Sequence, residues 1–199
     1  PPFNLERSLL AGALTVTLAI LFLVCLIPIL AADTSAYHLT VPRLYLEHHG
    51  FRPIPFNVYS NWPLNTHLLF ALAMQLKDYT LAKLVHLLFA AATLYALYRF
   101  ASDRQNNYTG LLAAVLFLAN PVVLVESCTG YVDIAFAFFF LMAIWYIVQA
   151  ATSTQADNRL FLLLAGLSAG LMAGTKLTAW LAVLCLLLFY MLSVRGSGP

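Results

Sequence analysis

The sequence predicts an all-α polytopic membrane protein with about six transmembrane helices, and three observations support this prediction. The chain of 199 residues is 62% hydrophobic and only 9% charged, whereas soluble domains are near one-quarter charged. Its mean hydropathy is +0.86. Several apolar runs approach about 20 residues, the length at which a helix crosses a hydrocarbon core of about 30 Å.

The expected spans follow the apolar runs in chain order. They lie at about 8–30, 79–100, 109–125, 132–150, 160–174 and 177–194. The first run has no small-residue cleavage site before Asp33 and is longer than a signal-peptide core, so we interpret it as a retained helix. Because the chain starts without Met and stops soon after a span, we expect it to be the N-terminal part of a longer transmembrane module.

The segment 31–78 is expected to form an external loop with interfacial helices. Tyr37, Val41, Leu44 and Tyr45 recur at helical spacing, and Pro42 fits the first turn of a helix that begins near residue 40. Residues 64–76 are apolar but short, which favours a helix that lies along the interface or re-enters over one that crosses.

The distribution of basic residues favours a cytoplasmic N-terminus. With Arg7 inside, the loops 101–108 and 151–159 and the tail at Arg195 are also cytoplasmic, as the positive-inside rule requires. The loop 31–78, the short loop 126–131 and the break near Lys176 are then external. Basic residues in or near the long loop weaken this signal; they are Arg43, Arg52, Lys77 and Lys83.

Three candidate site segments share the expected external side. Asp33 follows the first span, Glu126 and Asp133 flank a short loop, and Lys176 lies in a break between two apolar runs. Ionisable groups at or within spans are costly to bury, so they indicate function. We expect the three carboxylates to converge on one external cavity and Lys176 to pair with a lipid phosphate.

Each candidate also has a structural interpretation. Asp33 could cap the loop helix, Asp133 could end a span in water, and Lys176 could be a lysine whose stem lies in the membrane and whose ammonium reaches the interface. For His38 and His67, a structural role with a hydrogen bond is favoured over metal ligation. The cysteines are far apart and predict neither a disulfide nor a metal framework. No basic cluster with interleaved aromatics indicates nucleic-acid binding.

The order of short motifs adds a family resemblance. Asp33 after the first span, the amphipathic loop helix, Asn61-Trp-Pro63, Thr129-Gly-Tyr-Val-Asp133 and Gly174-Thr-Lys176 follow one another as in GT-C-type integral membrane glycosyltransferases. The chain resembles the N-terminal half of such an enzyme. It is most similar to the protein O-mannosyltransferase and aminoarabinose transferase family of bacteria.

This resemblance implies a function for several residues. It implies a polyprenyl-phosphate-linked sugar as donor, a lipid, protein or glycan acceptor, and chemistry on the extracytoplasmic face of the bacterial inner membrane. Asp33 would be the catalytic base. Asp133, and with it Glu126, would position the acceptor or hold a divalent metal, and His38 and Tyr37 would border the substrate. Lys176 or Arg43 would pair with the lipid phosphate.

One motif departs from the family, and two other functions stay open. Aminoarabinose transferases have an acidic-basic pair where this chain has Asn61 and Trp62, which argues against that substrate. A transporter would also place acidic residues among its spans, although usually near the midplane on broken helices. A non-catalytic membrane subunit is the remaining alternative.

Overall fold

The structure is a computed structural model that describes residues 5–28, 31–153 and 155–195. In these ranges all regular elements are helical. The longer ones are α1 (Leu5–Cys25), α2 (Thr40–Glu47), α3 (Asn65–Leu76), α4 (Tyr79–Ser102), α5 (Asn107–Leu118), α6 (Pro121–Ser127), α7 (Asp133–Thr152), α8 (Gln155–Ala173) and α9 (Ala179–Arg195). A π-helical turn at Thr34–His38 and a 3-10 turn at Val58–Asn61 complete them.

The all-α membrane class is confirmed, but the expected number of six spans is wrong. Among the described residues, α1, α4 and α7 are long and apolar enough to cross a membrane, and a fourth span results if the bent pair α5 and α6 is counted as one. Helix α8 begins with polar residues, including Asp157 and Arg159, so its apolar part is shorter than a bilayer requires. Helix α9 is apolar but also short.

Prolines explain where the first and third expected spans end or break. Helix α1 ends at Cys25 rather than at residue 30, because Pro28 lacks an N–H group and restricts the residue before it. Residues 29 and 30 lie outside the described ranges. The expected span 109–125 bends by 78° between α5 and α6, where Asn120 caps α6 and Pro121 occupies its first turn.

Two bundles of helices form the apolar core. Helices α1, α4 and α5 pack around Leu21, Ala90 and Leu118, and α7, α8 and α9 pack around Ala143, Met172 and Leu186. The loop segment lies on this core through Phe70 of α3, which packs with Leu39 and other buried residues. The predicted loop helices are confirmed, since α2 begins at Thr40 and α3 begins at Asn65.

Long-range hydrogen bonds bring the polar segments to one end of the bundle. Lys83 Nζ donates to the carbonyl oxygen of Ile27 at 2.6 Å, which joins the start of α4 to the end of α1. The backbone N–H of Asn65 donates to the carbonyl oxygen of Gly174 at 2.8 Å. We call this end, which carries residues 31–78, 126–133 and 174–178, the polar end.

Candidate functional site at the polar end

Asp33 lies in the cap position of the π-helical turn, with its carboxylate exposed. The side chain makes no capping hydrogen bond, so the geometry does not support a role as a helix cap. Among the described residues it has no hydrogen-bond or ion-pair partner. An exposed carboxylate with free lone pairs can accept a proton from a bound hydroxyl group.

Tyr37 lies in an aromatic cluster next to Asp33. Its ring stacks on Tyr59, with centroids 4.2 Å apart, and Trp62 meets Tyr59 edge-on at 4.7 Å. Burial, together with the negative charges of Asp33 and Asp133, raises the pKa of Tyr37 to about 12. Tyr37 is therefore a protonated hydrogen-bond donor under the influence of two carboxylates.

His38 and His67 form a buried pair behind this cluster. His38 Nδ1 and His67 Nε2 are 2.9 Å apart, and the rings stack with centroids at 5.0 Å. Burial lowers the pKa of His38 to about 2 and that of His67 to about 4. Both rings are therefore neutral, and one donates to the other. The preferred structural interpretation of these histidines agrees with this hydrogen bond.

Asp133 and Lys176 form an ion pair across the polar end. The Nζ atom of Lys176 contacts Oδ1 of Asp133, and each side chain is about one-third exposed. Asp133 is the first residue of α7, and Lys176 lies in the turn between α8 and α9. Two residues predicted as separate site components are thus in direct contact, and the Lys176 charge is already paired in this structure.

Helix α3 holds the Lys176 turn in place. Two hydrogen bonds connect them. One is the backbone hydrogen bond from Asn65 to Gly174, and the other joins the hydroxyl groups of Thr66 and Thr175, which are both buried and lie 3.3 Å apart. A Cβ atom at Gly174 would overlap the side-chain amide of Asn65, so this exposed side chain would have to move to admit it. Glycine at this position lets the turn lie directly against the Asn65 side chain.

Glu126 lies near Asp133 at the end of α6 and is half-buried. Its backbone carbonyl accepts a hydrogen bond from His86 Nδ1 at 2.9 Å, and the same nitrogen lies 3.1 Å from the carbonyl of Thr129. His86 thus fixes the turn that leads from Glu126 to Asp133. The sequence interpretation did not identify His86, because its position in an apolar helix is typical of a packed core residue.

The carboxylates of Asp33, Glu126 and Asp133 all lie at the polar end, but none of them lines the small cleft beside Tyr37. That cleft is bordered by His38, Trp62, Val132, Lys176 and other residues, with no carboxylate among them. Arg43 is exposed and forms an ion pair with Glu47, with Nε and Oε1 2.6 Å apart. In the described part of the chain, no group of three His, Cys, Asp or Glu side chains is arranged to hold a metal ion.

Comparison with known protein families then identifies the chain. The family of dolichyl-phosphate-mannose-protein mannosyltransferases matches residues 61–197. The chain belongs to this family. It is therefore a membrane protein of a family that transfers glycosyl groups from polyprenyl-phosphate sugars. No curated protein and no solved structure matches it at a significant level.

The family match covers only part of the candidate site. Glu126, Asp133 and Lys176 lie inside the matched residues, as does the Asn61-Trp-Pro63 motif. Asp33 and the π-helical turn precede them. The role of Asp33 therefore depends on its own geometry, on its place after the first span and on the resemblance noted from the sequence.

Proposed function

We propose that the chain transfers a sugar from a polyprenyl-phosphate donor to an acceptor hydroxyl group, with Asp33 as the general base. The observation that supports this most directly is the exposed carboxylate of Asp33, which has no partner among the described residues. It lies next to Tyr37, whose pKa responds to Asp33 and to Asp133. The proposed site is thus the surface between Asp33 and the Asp133–Lys176 pair.

The reaction needs one proton acceptor and one stabilised leaving group. The acceptor oxygen attacks the anomeric carbon and its proton passes to Asp33, while the bond from the anomeric carbon to the phosphate oxygen breaks with its electrons on that oxygen. The polyprenyl phosphate leaves as an anion, so cationic groups assist it more than a general acid does. A single direct displacement inverts the anomeric centre.

The remaining candidate residues have supporting roles in this proposal. Lys176 would exchange part of its contact with Asp133 for the donor phosphate, as an ammonium group on a flexible stem can. Asp133 and Glu126 would orient the acceptor, which is a lipid, a protein or a glycan. Tyr37 can donate a hydrogen bond, and His38 supports the Tyr37 ring from behind at a centroid distance of 4.0 Å.

We also propose an orientation and a location. The polar end faces the extracytoplasmic side of a bacterial inner membrane, in agreement with the basic residues Arg7, Arg99 and Arg104 toward the opposite side. The chain would supply the N-terminal part of the transferase.

The replacement Asp33→Asn tests the catalytic assignment. It keeps the shape of the side chain and removes the proton acceptor, so we expect turnover to fall by about 10²- to 10⁴-fold. The protein level should not change, because no folded-state partner is lost. Mass spectrometry of membrane lipids should show one polyprenyl-phosphate sugar accumulating in the variant.

The matched control is Asp103→Asn. Asp103 is an exposed aspartate at the opposite end of α4, where it pairs with Arg99 at 3.4 Å, and its replacement should leave the lipids as in wild type. If the Asp33→Asn variant is present at normal levels and its lipids are unchanged, the result would favour a transporter or a non-catalytic membrane subunit over the proposed transferase.

A further inference from the structure

The π-helical turn that follows Asp33 and contains Tyr37 is held by a side chain from a distant part of the loop. Asn57 Nδ2 donates a hydrogen bond to the carbonyl oxygen of Ala36 at 2.9 Å, from a position 21 residues further along the chain. The carboxylate of Asp33 has no partner among the described residues, so its position depends on the backbone that carries it. Turns of this kind are rare and are frequently found at functional sites. A contact that fixes this turn therefore also fixes the proposed base.

The same amide group also holds a second turn. Asn57 Oδ1 accepts a hydrogen bond from the backbone N–H of Tyr59 at 3.2 Å and so caps the 3-10 turn Val58–Asn61. Because a carbonyl oxygen only accepts and a backbone N–H only donates, the two contacts are compatible with one orientation of the amide. The backbone of Asn57 is fixed as well, since its carbonyl accepts from the hydroxyl and the N–H of Ser60 at 2.8 and 3.1 Å.

The two turns meet through the stacked rings of Tyr37 and Tyr59. Tyr37 directly follows Ala36, and Tyr59 is two residues after Asn57. The ring centroids are 4.2 Å apart and the ring planes differ by 19°. Both hydrogen bonds of the Asn57 amide therefore end at or next to a residue of this stack. A change in the amide should move one ring relative to the other, and with Tyr37 it should move the turn that carries Asp33.

We propose that Asn57 is a positioning residue of the transferase site, whose amide joins the π-helical turn to the 3-10 turn and so sets the positions of Asp33 and Tyr37. This inference rests on the proposed function of Asp33 as the base, whereas the connection between the turns does not. One hydrogen bond of this kind shifts a local equilibrium by about two- to tenfold. A catalytic group that is misplaced by about 1 Å can slow a reaction by about 10²-fold. Loss of the amide donor should therefore affect turnover more than folding.

Two variants remove the bond to Ala36 and keep the cap of the 3-10 turn. Asn57→Asp retains an oxygen for the N–H of Tyr59, but it lacks the donor and places a carboxylate beside the Ala36 carbonyl. Asn57→Ser also retains a capping oxygen, is too short to reach Ala36 and adds no charge. Agreement between the two variants excludes an effect of the added charge alone. The matched control is Asn106→Asp, because Asn106 caps α5 through its side-chain oxygen, which aspartate retains.

The first measurement is amide hydrogen exchange of the purified protein, followed by mass spectrometry. We expect peptides that cover residues 31–40 to exchange about two- to tenfold faster in both Asn57 variants and at the wild-type rate in Asn106→Asp. This measurement needs no substrate and does not depend on the proposed reaction. Equal exchange of these peptides in wild type and in both Asn57 variants would overturn the proposal.

The second measurement shows whether Asn57 acts through Asp33. Membrane vesicles that contain each variant would receive polyprenyl-phosphate mannose, and mass spectrometry would measure the polyprenyl phosphate released. We expect Asn57→Ser to lower the rate at least about tenfold when Asp33 is present. In an Asp33→Asn background the same change should lower the rate less than about twofold, because a base that is absent cannot be misplaced. A residue that only stabilises the fold would lower both rates by the same factor.

The results distinguish failure of this inference from failure of the proposed function. If Asp33→Asn loses turnover while Asn57→Ser keeps it, Asn57 does not position the base and the proposal is overturned. A loss by the same factor in both backgrounds would overturn it as well. If Asp33→Asn keeps the wild-type turnover, the proposed base is wrong and the positioning role fails with it. Hydrogen exchange would then still show whether Asn57 holds the turn.

Discussion

At the residue scale, Lys176 can have one of two roles. Its charge can stabilise the fold through the ion pair with Asp133, or it can bind the phosphate of the donor. An ion pair with both side chains one-third exposed contributes at most about 1 kcal/mol to stability. We therefore expect Lys176→Met to change the melting temperature little and to raise the KM for the donor at least about tenfold. Steady-state kinetics with the donor lipid varied would measure this.

Two other variants complete that test. Lys77→Met removes an exposed loop lysine and should leave the KM unchanged. Asp133→Asn removes the ion-pair partner of Lys176. If Lys176 only stabilises the fold, Lys176→Met, Asp133→Asn and the double variant should all lose a similar amount of stability, and the KM for the donor should not change. That outcome would leave Lys176 without a role in donor binding.

The histidine pair makes stability depend on pH in a defined direction. His38 and His67 have pKa values of about 2 and about 4 in the folded protein, against about 6.5 when unfolded. Below pH 6.5 the unfolded chain therefore binds protons that the folded chain does not, so stability falls as the pH decreases. At pH 5 the loss is about 2 kcal/mol for each histidine.

Thermal unfolding of the purified protein between pH 7 and pH 5 would measure this loss. We expect His67→Gln to flatten the profile, because one of the two neutral rings is removed. His48→Gln, which alters an exposed histidine of the same loop, should keep the wild-type slope. A melting temperature for wild type that is constant over this range would contradict the buried, neutral pair.

The turn between α8 and α9 matters most at the element scale, because it carries Lys176 to Asp133. Gly174→Ala would place a methyl group against the side-chain amide of Asn65, so either that side chain or the turn itself must shift. We expect this variant to lose at least about 1 kcal/mol of stability, as overpacking does, and to show the raised donor KM of Lys176→Met. The measurements are a thermal melt and donor kinetics.

A nearby glycine provides the control for this prediction. Gly170 lies one turn earlier on α8, and a Cβ atom there meets nothing within 4 Å. Gly170→Ala should therefore leave the kinetics unchanged and slightly stabilise the helix. Equal behaviour of the two alanine variants would show that the turn does not depend on its close approach to α3.

The sequence predicts a helix boundary well where a local signal such as proline marks it. It predicts structure poorly where contacts between residues far apart in the chain determine it. Pro42 correctly indicated the start of α2, whereas the apolar run 109–125 concealed the bend at Pro121 because hydropathy averages over a break. Lys83 and Ile27 are 56 residues apart, and no periodicity shows that they meet.

The arrangement of the whole molecule predicts which segments are accessible from each side of the membrane. With α1, α4 and α7 as spans, the polar end and the connection between α4 and α5 lie on opposite sides. A single cysteine at Arg52 (Arg52→Cys) should react with a membrane-impermeant maleimide in intact cells, and one at Gln105 (Gln105→Cys) only after permeabilisation. Both positions are exposed, and a Cys185→Ala background removes the exposed native thiol.

This labelling experiment distinguishes the proposed orientation from its inverse and from a chain that lies on one side. Reaction at residue 105 in intact cells, with none at residue 52, would invert the topology and place Asp33 in the cytoplasm. Reaction of both positions in intact cells would contradict the spanning role of α4. Because an extracytoplasmic lipid-linked donor can reach Asp33 only if the polar end is external, the same experiment constrains the proposed reaction without measuring transfer.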